Sequence, residues 1–252
     1  MVEPEIIHYD ASDGRPITAY LTVPPGDPPF PAVLLPHGGP YARDYPSFHP
    51  WVQFLVSRGY AVIQPNFRGS VGYGLEHLSA GFKQWGLKMQ DDVMDALDWM
   101  IGAKLADPDR VCVVGGSYGG YVALIAAYKT PDRIRCAVSF AGVTDLLELK
   151  KHAALYDLGV LTLERIQDGP SVNDNSPIAQ VDRIGVPLLI VHGDADRSVM
   201  IEQSRSFVTA LDKAGKPYRY IEQPDGDHYL SNQSHRVEFF EALEDFLREN
   251  LQ

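Results

Sequence analysis

Short apolar runs alternate with amphipathic stretches along most of this chain, and that alternation predicts strands interleaved with helices. The runs at 17–23, 32–36, 61–66, 110–115, 136–140, 187–192 and 218–223 read as strands. Most are continuous in Val, Ile and Leu rather than alternating, as expected of parallel strands covered on both faces. The segments 5–9 and 17–23, on either side of Asp13-Gly14, read instead as an antiparallel hairpin. Between the strands, Val93, Leu97, Met100, Ile101 and Leu105 share one helical face at three- and four-residue steps. So do Phe207, Val208 and Leu211, and near the C-terminus Val237, Phe240, Leu243 and Leu247. The pattern predicts an α/β fold: a mostly parallel sheet with helices on both faces and an N-terminal antiparallel hairpin. One stretch breaks the rhythm. Residues 144–185 hold no convincing strand, and loops of that length carry helices of their own or serve function. They are expected to form a helical cap segment over the carboxyl ends of the strands.

Composition changes this picture little. With 252 residues, 45% hydrophobic and 22% charged, the chain reads as one globular domain over 1–252. A core of that size needs no disulfide or metal to staple it. The formal net charge of −11 argues against nucleic acid and against an anionic membrane as partners. No apolar stretch approaches the ~20 residues of a membrane span. The acidic opening Met1-Val2-Glu3-Pro4-Glu5 lacks the layout of a signal peptide, so a cytoplasmic protein is expected. Cys112 and Cys136 each sit in an apolar run and are expected as two separate buried thiols. No His, Cys, Asp or Glu spacing suggests a metal, and no G-x-G-x-x-G opens a helix, so no cofactor is expected.

The strongest chemical signal is Gly115-Gly116-Ser117-Tyr118-Gly119-Gly120, between the strand ending at 114 and a helical stretch at 121–129. G-x-S-x-G in a strand–turn–helix context is the nucleophile turn of the α/β-hydrolase fold. It lifts the serine hydroxyl above the sheet and aims the following N–H groups at an oxyanion. A serine needs a base, and this fold supplies Asp or Glu and then His downstream. His228, in the loop after 218–223, is the expected base; His235, in the following helix, is expected at the surface. The acid is expected in the loop after 187–191, where both Asp194 and Asp196 are available. Spacing leaves these two open. Asp91 and Asp92 are expected to favour the N-terminus of the helix bearing Val93, Asp145 to cap a helix, and Arg68 to organise its glycine-rich loop.

Several blocks resemble the catalytic domain of the prolyl oligopeptidase family, particularly its acylaminoacyl-peptidase branch. They are His37-Gly38-Gly39-Pro40, Asn66-Phe67-Arg68-Gly69-Ser70-Val71-Gly72-Tyr73-Gly74, Gly115 to Gly120, Ser176-Pro177-Ile178, and the loop from His192 to Val199. They run in the family's order over nearly the whole chain. The resemblance implies Ser117 as nucleophile, Asp196 as the acid and His228 as the base. It also implies an oxyanion hole made by the backbone N–H groups of Gly39 and Tyr118. Some relatives use a tyrosine hydroxyl where this chain has His37; here His37 is expected to pack in its loop. Relatives also place a β-propeller before this domain, and no blade repeat of roughly forty to fifty residues occurs here. The chain is therefore expected to be either an excised catalytic domain or a stand-alone hydrolase.

The expected function is hydrolysis of peptide or N-acyl-aminoacyl bonds through an acyl-enzyme. The alternatives are a stand-alone carboxylesterase and a non-catalytic hydrolase-fold binding module. The expected partner is a peptide, acyl-peptide or ester substrate; a homo-oligomer is compatible with the sequence but nothing in it specifies one.

Overall fold

The computed structural model describes residues 1–155 and 164–252. Its frame is one eight-stranded sheet: β1 (Glu5–Asp10), β2 (Pro16–Thr22), β3 (Phe30–Leu34), β4 (Ala61–Asn66), β5 (Ala106–Gly116), β6 (Cys136–Phe140), β7 (Leu188–Gly193) and β8 (Tyr218–Gln223). The strand order is β1-β2-β4-β3-β5-β6-β7-β8. β1 pairs antiparallel with β2, and β2 with β4; every ladder from β4 onward is parallel. This is the predicted α/β-hydrolase arrangement. All residues of β4, β6 and β7 are buried, which is why their sequences show no alternation of apolar and polar positions.

The α-helices set out among the described residues are α1 (Pro50–Ser57), α2 (Leu75–Ser79), α3 (Lys88–Gly102), α4 (Tyr118–Lys129), α5 (Leu146–Ala153), α6 (Ser171–Asp174), α7 (Glu202–Ala214) and α8 (Gln233–Leu251). They divide the core in two. One cluster joins α3, α4 and α7 to one sheet face, through Val93, Leu97, Leu124 and Phe207 among others. The other joins α1 and α8 to the opposite face through Val52, Leu55, Phe239 and Leu243. α4 runs through the middle, with every residue but Lys129 buried, so a single mutation on any side of it meets packed neighbours.

The structure corrects several expectations. Val237 is 48% exposed; the buried face of α8 is carried by Phe239, Leu243, Phe246 and Leu247. Asp92 does not sit at a helix N-terminus but inside α3, fully buried and bonded to Arg68. Cys112 and Cys136 are register partners on β5 and β6 with Cα atoms 4.9 Å apart, and they are joined as a disulfide rather than held as separate thiols. The pairing register of two strands 24 residues apart decides this, and local sequence does not carry it. Asp145 does cap α5, accepting from the N–H groups of Leu147 and Glu148. Residues 156–163, at the centre of the segment expected to cap the site, lie outside the described residues.

Candidate active site

The parallel ladder brings four loops to one edge of the sheet. The segment after β3 carries Gly38 and Gly39, the turn after β5 carries Ser117, the loop after β7 carries Asp196, and the loop after β8 carries His228. Loops at the carboxyl ends of parallel strands are where such folds bind ligands.

Ser117 sits at φ 57°, ψ −120°, a conformation that side-chain-bearing residues rarely adopt. Its N–H donates to the Phe140 carbonyl at 2.8 Å, which pins the turn against β6. The glycines are sterically required. A Cβ on Gly115 would collide with the backbone of Gly119, and a Cβ on Gly119 with the Pro36 carbonyl. Tyr118 is the first residue of α4, where the backbone N–H has no partner within the helix.

Asp196 is 3% exposed, and three hydrogen bonds and one further imidazole contact converge on it. Its Oδ1 accepts from the N–H groups of Ser198 (2.7 Å) and Val199 (3.0 Å). Its Oδ2 lies 2.6 Å from Nδ1 of His228 and 3.3 Å from Nε2 of His192. Burial alone opposes ionisation of this carboxyl and is the largest single influence on it. The donors from His192, His228 and Val199 together outweigh burial and hold it well below the usual carboxylate range. Asp194, the other acid left open by spacing, is exposed and accepts from the Asp225 N–H at 2.6 Å, tying the two loops together.

His228 is half-buried, with Nδ1 bound to Asp196; its other ring nitrogen, Nε2, is the one left for the cavity it shares with Ser117. That cavity holds about 500 Å³ and is walled by Gly38, Gly39, Trp51, Phe140 and Phe240 as well as by Ser117 and His228. Gly38 presses against the serine: a Cβ there would lie 3.4 Å from Ser117 Cβ. Gly39 adopts φ +119°, which favours glycine.

Two histidines acquire definite surroundings. His37 stacks on Phe67, and its Nδ1 donates to the Gly38 carbonyl at 2.7 Å. Its Nε2 meets Ser70 Oγ at 2.8 Å, and burial pushes its pKa down to about 4. With its one ring hydrogen committed to Gly38, the His37 side chain packs in its loop and has no N–H left for an oxyanion. His192, the first residue of the loop that resembles the family, carries no assigned role in the sequence. The structure buries it completely, with Nε2 2.9 Å from the Val199 carbonyl and Nδ1 2.7 Å from Ser204 Oγ. Because a carbonyl only accepts, Nε2 carries the hydrogen that also faces Asp196. The sequence signal for it was its place at the end of β7, four residues before the acid. Trp51, packed on Phe140 and Phe239, was not singled out either; it begins a short helix with no glycine motif to mark it.

Among the described residues, no group of three or more His, Cys, Asp or Glu side chains is arranged to hold a metal, and no helix is long and apolar enough to cross a membrane.

Comparison with known proteins adds the lineage. The chain is 34% identical to "Dipeptidyl peptidase family member 6" of Caenorhabditis elegans, over 96% of this chain and 37% of that protein. It is 27% identical to the human "Acylamino-acid-releasing enzyme", over 91% of this chain and 32% of that one. A Mycobacterium tuberculosis puromycin-hydrolyzing peptidase superposes with a TM-score of 0.92 at 29% identity, covering 99% of this chain and 39% of that chain. The chain thus spans between 32% and 39% of the length of these relatives. The model of the prolyl oligopeptidase family matches residues 46–252, a span that includes Ser117, Asp196 and His228. On the strand order, the glycine-rich serine turn and this match together, the chain belongs to the prolyl oligopeptidase family.

Proposed function

We propose that the protein is a serine hydrolase that cleaves peptide or N-acyl-aminoacyl bonds through an acyl-enzyme on Ser117. The observation that carries this reading is the 2.6 Å contact between His228 Nδ1 and Asp196 Oδ2, beside a cavity that His228 shares with Ser117. With Nδ1–H donated to Asp196, Nε2 is the nitrogen free to take the serine proton. Oγ then attacks the substrate carbonyl, and the oxyanion is held by the backbone N–H groups of Gly39 and Tyr118. As the tetrahedral adduct collapses, the C–N bond breaks and His228 gives its proton to the leaving amine. Water repeats the sequence on the ester: His228 takes its proton, the acid departs, and Ser117 recovers its hydrogen. Asp196 stays ionised throughout and stabilises the imidazolium that forms twice per turnover.

Relatives whose names point to amide bonds support peptides and acyl-peptides over esters as substrates. Matched N-acetyl-aminoacyl esters and amides separate the two. Amide turnover that vanishes in Ser117→Ala is expected; a protein that hydrolyses only the ester is a carboxylesterase. Turnover of neither by folded protein, or no loss in Ser117→Ala, overturns the reading.

A further inference from the structure

We propose that Arg236 recognises the carboxylate of the leaving group, so that the enzyme favours substrates whose departing part is an amino acid or short peptide with a free C-terminus. The proposal rests on the hydrolase reading given above. It starts from the direction of proton transfer. His228 must protonate the departing nitrogen, so the leaving group lies against His228 rather than on the acyl side of Ser117. The cavity is lined by Tyr229 and Leu230 in the same loop, by Arg236 and Phe240 in the N-terminal half of α8, and by Trp51. These groups are apolar or aromatic apart from Arg236.

Arg236 is oriented but not neutralised. Its Nη1 donates to the carbonyls of Leu230 (2.7 Å) and Ser231 (2.8 Å), which fix the guanidinium and bring no formal charge. Among the described residues it forms no ion pair. The neighbouring arginines differ: Arg58 pairs with Glu244 and Arg248 with Asp245, both acids of α8 itself. Arg236 is exposed at this cavity, an unpaired cation in a chain whose formal net charge is −11. It runs against helix electrostatics, since Arg236 lies in the first turns of a 19-residue helix whose first turn holds no acid. A cation there is unfavourable by itself, but it adds to the positive N-terminal end of the helix in attracting an anion.

The remaining guanidinium donors, Nε and Nη2, suit bidentate pairing with a carboxylate. A cavity of about 500 Å³ accommodates a leaving group of one or two residues, with an apolar side chain against Trp51 and Phe240. In the reaction, the C–N bond breaks, the nitrogen takes one proton from His228, and the amino acid departs as a neutral amine with its carboxylate at Arg236, gaining its ammonium proton from solvent afterwards.

The test compares kcat/KM for N-acetyl-alanyl-leucine, its C-terminal amide, and N-acetyl-alanine p-nitroanilide, which carries no carboxylate. The wild-type protein is expected to prefer the free acid over the amide by about tenfold, a rim-exposed charge-assisted contact. Arg236→Gln is expected to bring that ratio to about one, and Arg236→Lys to restore part of it; the remote Arg248→Gln is expected to keep it. If Arg236 only braces the His228 loop, its loss slows all three substrates alike and the ratio survives, which overturns the proposal. A wild-type ratio near one, with the anilide turned over, overturns it while leaving the hydrolase reading intact. No turnover of any of the three by folded protein brings down the hydrolase reading, and the subsite with it.

Discussion

Two buried aspartates in this molecule are held in different ways. Asp92, inside α3, receives the backbone N–H, Nε and Nη2 of Arg68, and Arg68 in turn grips Asp13 with Nη1 and Nη2. Asp196 receives two backbone N–H groups and two imidazoles. Burial pushes the Asp92 carboxyl up, against the pull of Arg68, whereas the donors around Asp196 overcome burial and push it down. The Arg68 cluster uses a permanent charge on both sides, so it fastens loop 66–74 to α3 and to the hairpin without any group free to move a proton. The Asp196 cluster offers backbone N–H groups and imidazoles in place of a guanidinium and stands beside the cavity lined by Ser117; under the proposed function it orients His228 for proton transfer. Burial of a charge is therefore no guide to function by itself; the chemistry of its partner decides.

The largest effect expected from breaking this comparison is on turnover at Asp196. Asp196→Asn removes the charge that stabilises the His228 imidazolium and disturbs its tautomer, and kcat should fall about 10⁴-fold while cooperative unfolding persists. Steady-state kinetics beside a denaturation curve check both halves. Asp92→Ala should show the reverse. It strands Arg68 with only the half-exposed Asp13, at a cost of about 3–5 kcal/mol in unfolding free energy by urea titration. Turnover per folded molecule should stay within about threefold, since nothing in that cluster touches the cavity.

A third aspartate sharpens the contrast through pH. Asp44 is 8% exposed, with no hydrogen-bond partner for Oδ2 among the described residues, and burial pushes its pKa up from 3.8 to about 7. Because the folded value lies above the unfolded one, the protonated carboxyl favours the fold at low pH. That contribution is complete below about pH 4 and is lost as pH rises through about 7. Asp196 has the opposite sign: its depressed value contributes stability above about pH 4, which is lost as pH falls below its ordinary range. Asp44→Asn should therefore match the wild-type protein near pH 4 and exceed its stability at pH 8 by about 2–4 kcal/mol in thermal or urea unfolding. Equal curves at both pH values would remove Asp44 from the comparison.

The sequence made the sheet legible wherever a strand is buried on both faces. β4 and β6 are such strands and begin and end where the sequence placed them; β8, only partly buried, does so as well through its β-forming residues. The serine turn was legible because close backbone contacts at Gly115 and Gly119 leave a glycine signature. Asp196 was not separable from Asp194 by spacing; the family resemblance named it, and of the two it is the one that contacts His228. What escaped was settled by distant pairing. Arg68 meets Asp92 across 24 residues of chain and Asp13 across 55, and no local pattern announces either partner. The face of α8 was misjudged at Val237 because its aromatic residues Phe239 and Phe240 are adjacent, leaving two helical faces open to choice. α1 went unread although Val52, Leu55 and Val56 follow helical spacing, because eight residues give too short a window.

The central claim is that Ser117 is an activated nucleophile whose reactivity depends on the Asp196–His228 pair. A fluorophosphonate reacted with the folded wild-type protein, followed by mass-spectrometric mapping, tests it most directly. The account predicts one adduct, on Ser117, formed far more slowly in Asp196→Asn and absent in Ser117→Ala. An adduct on another residue, no adduct on folded protein, or equal labelling rates in the wild-type and Asp196→Asn proteins would contradict it.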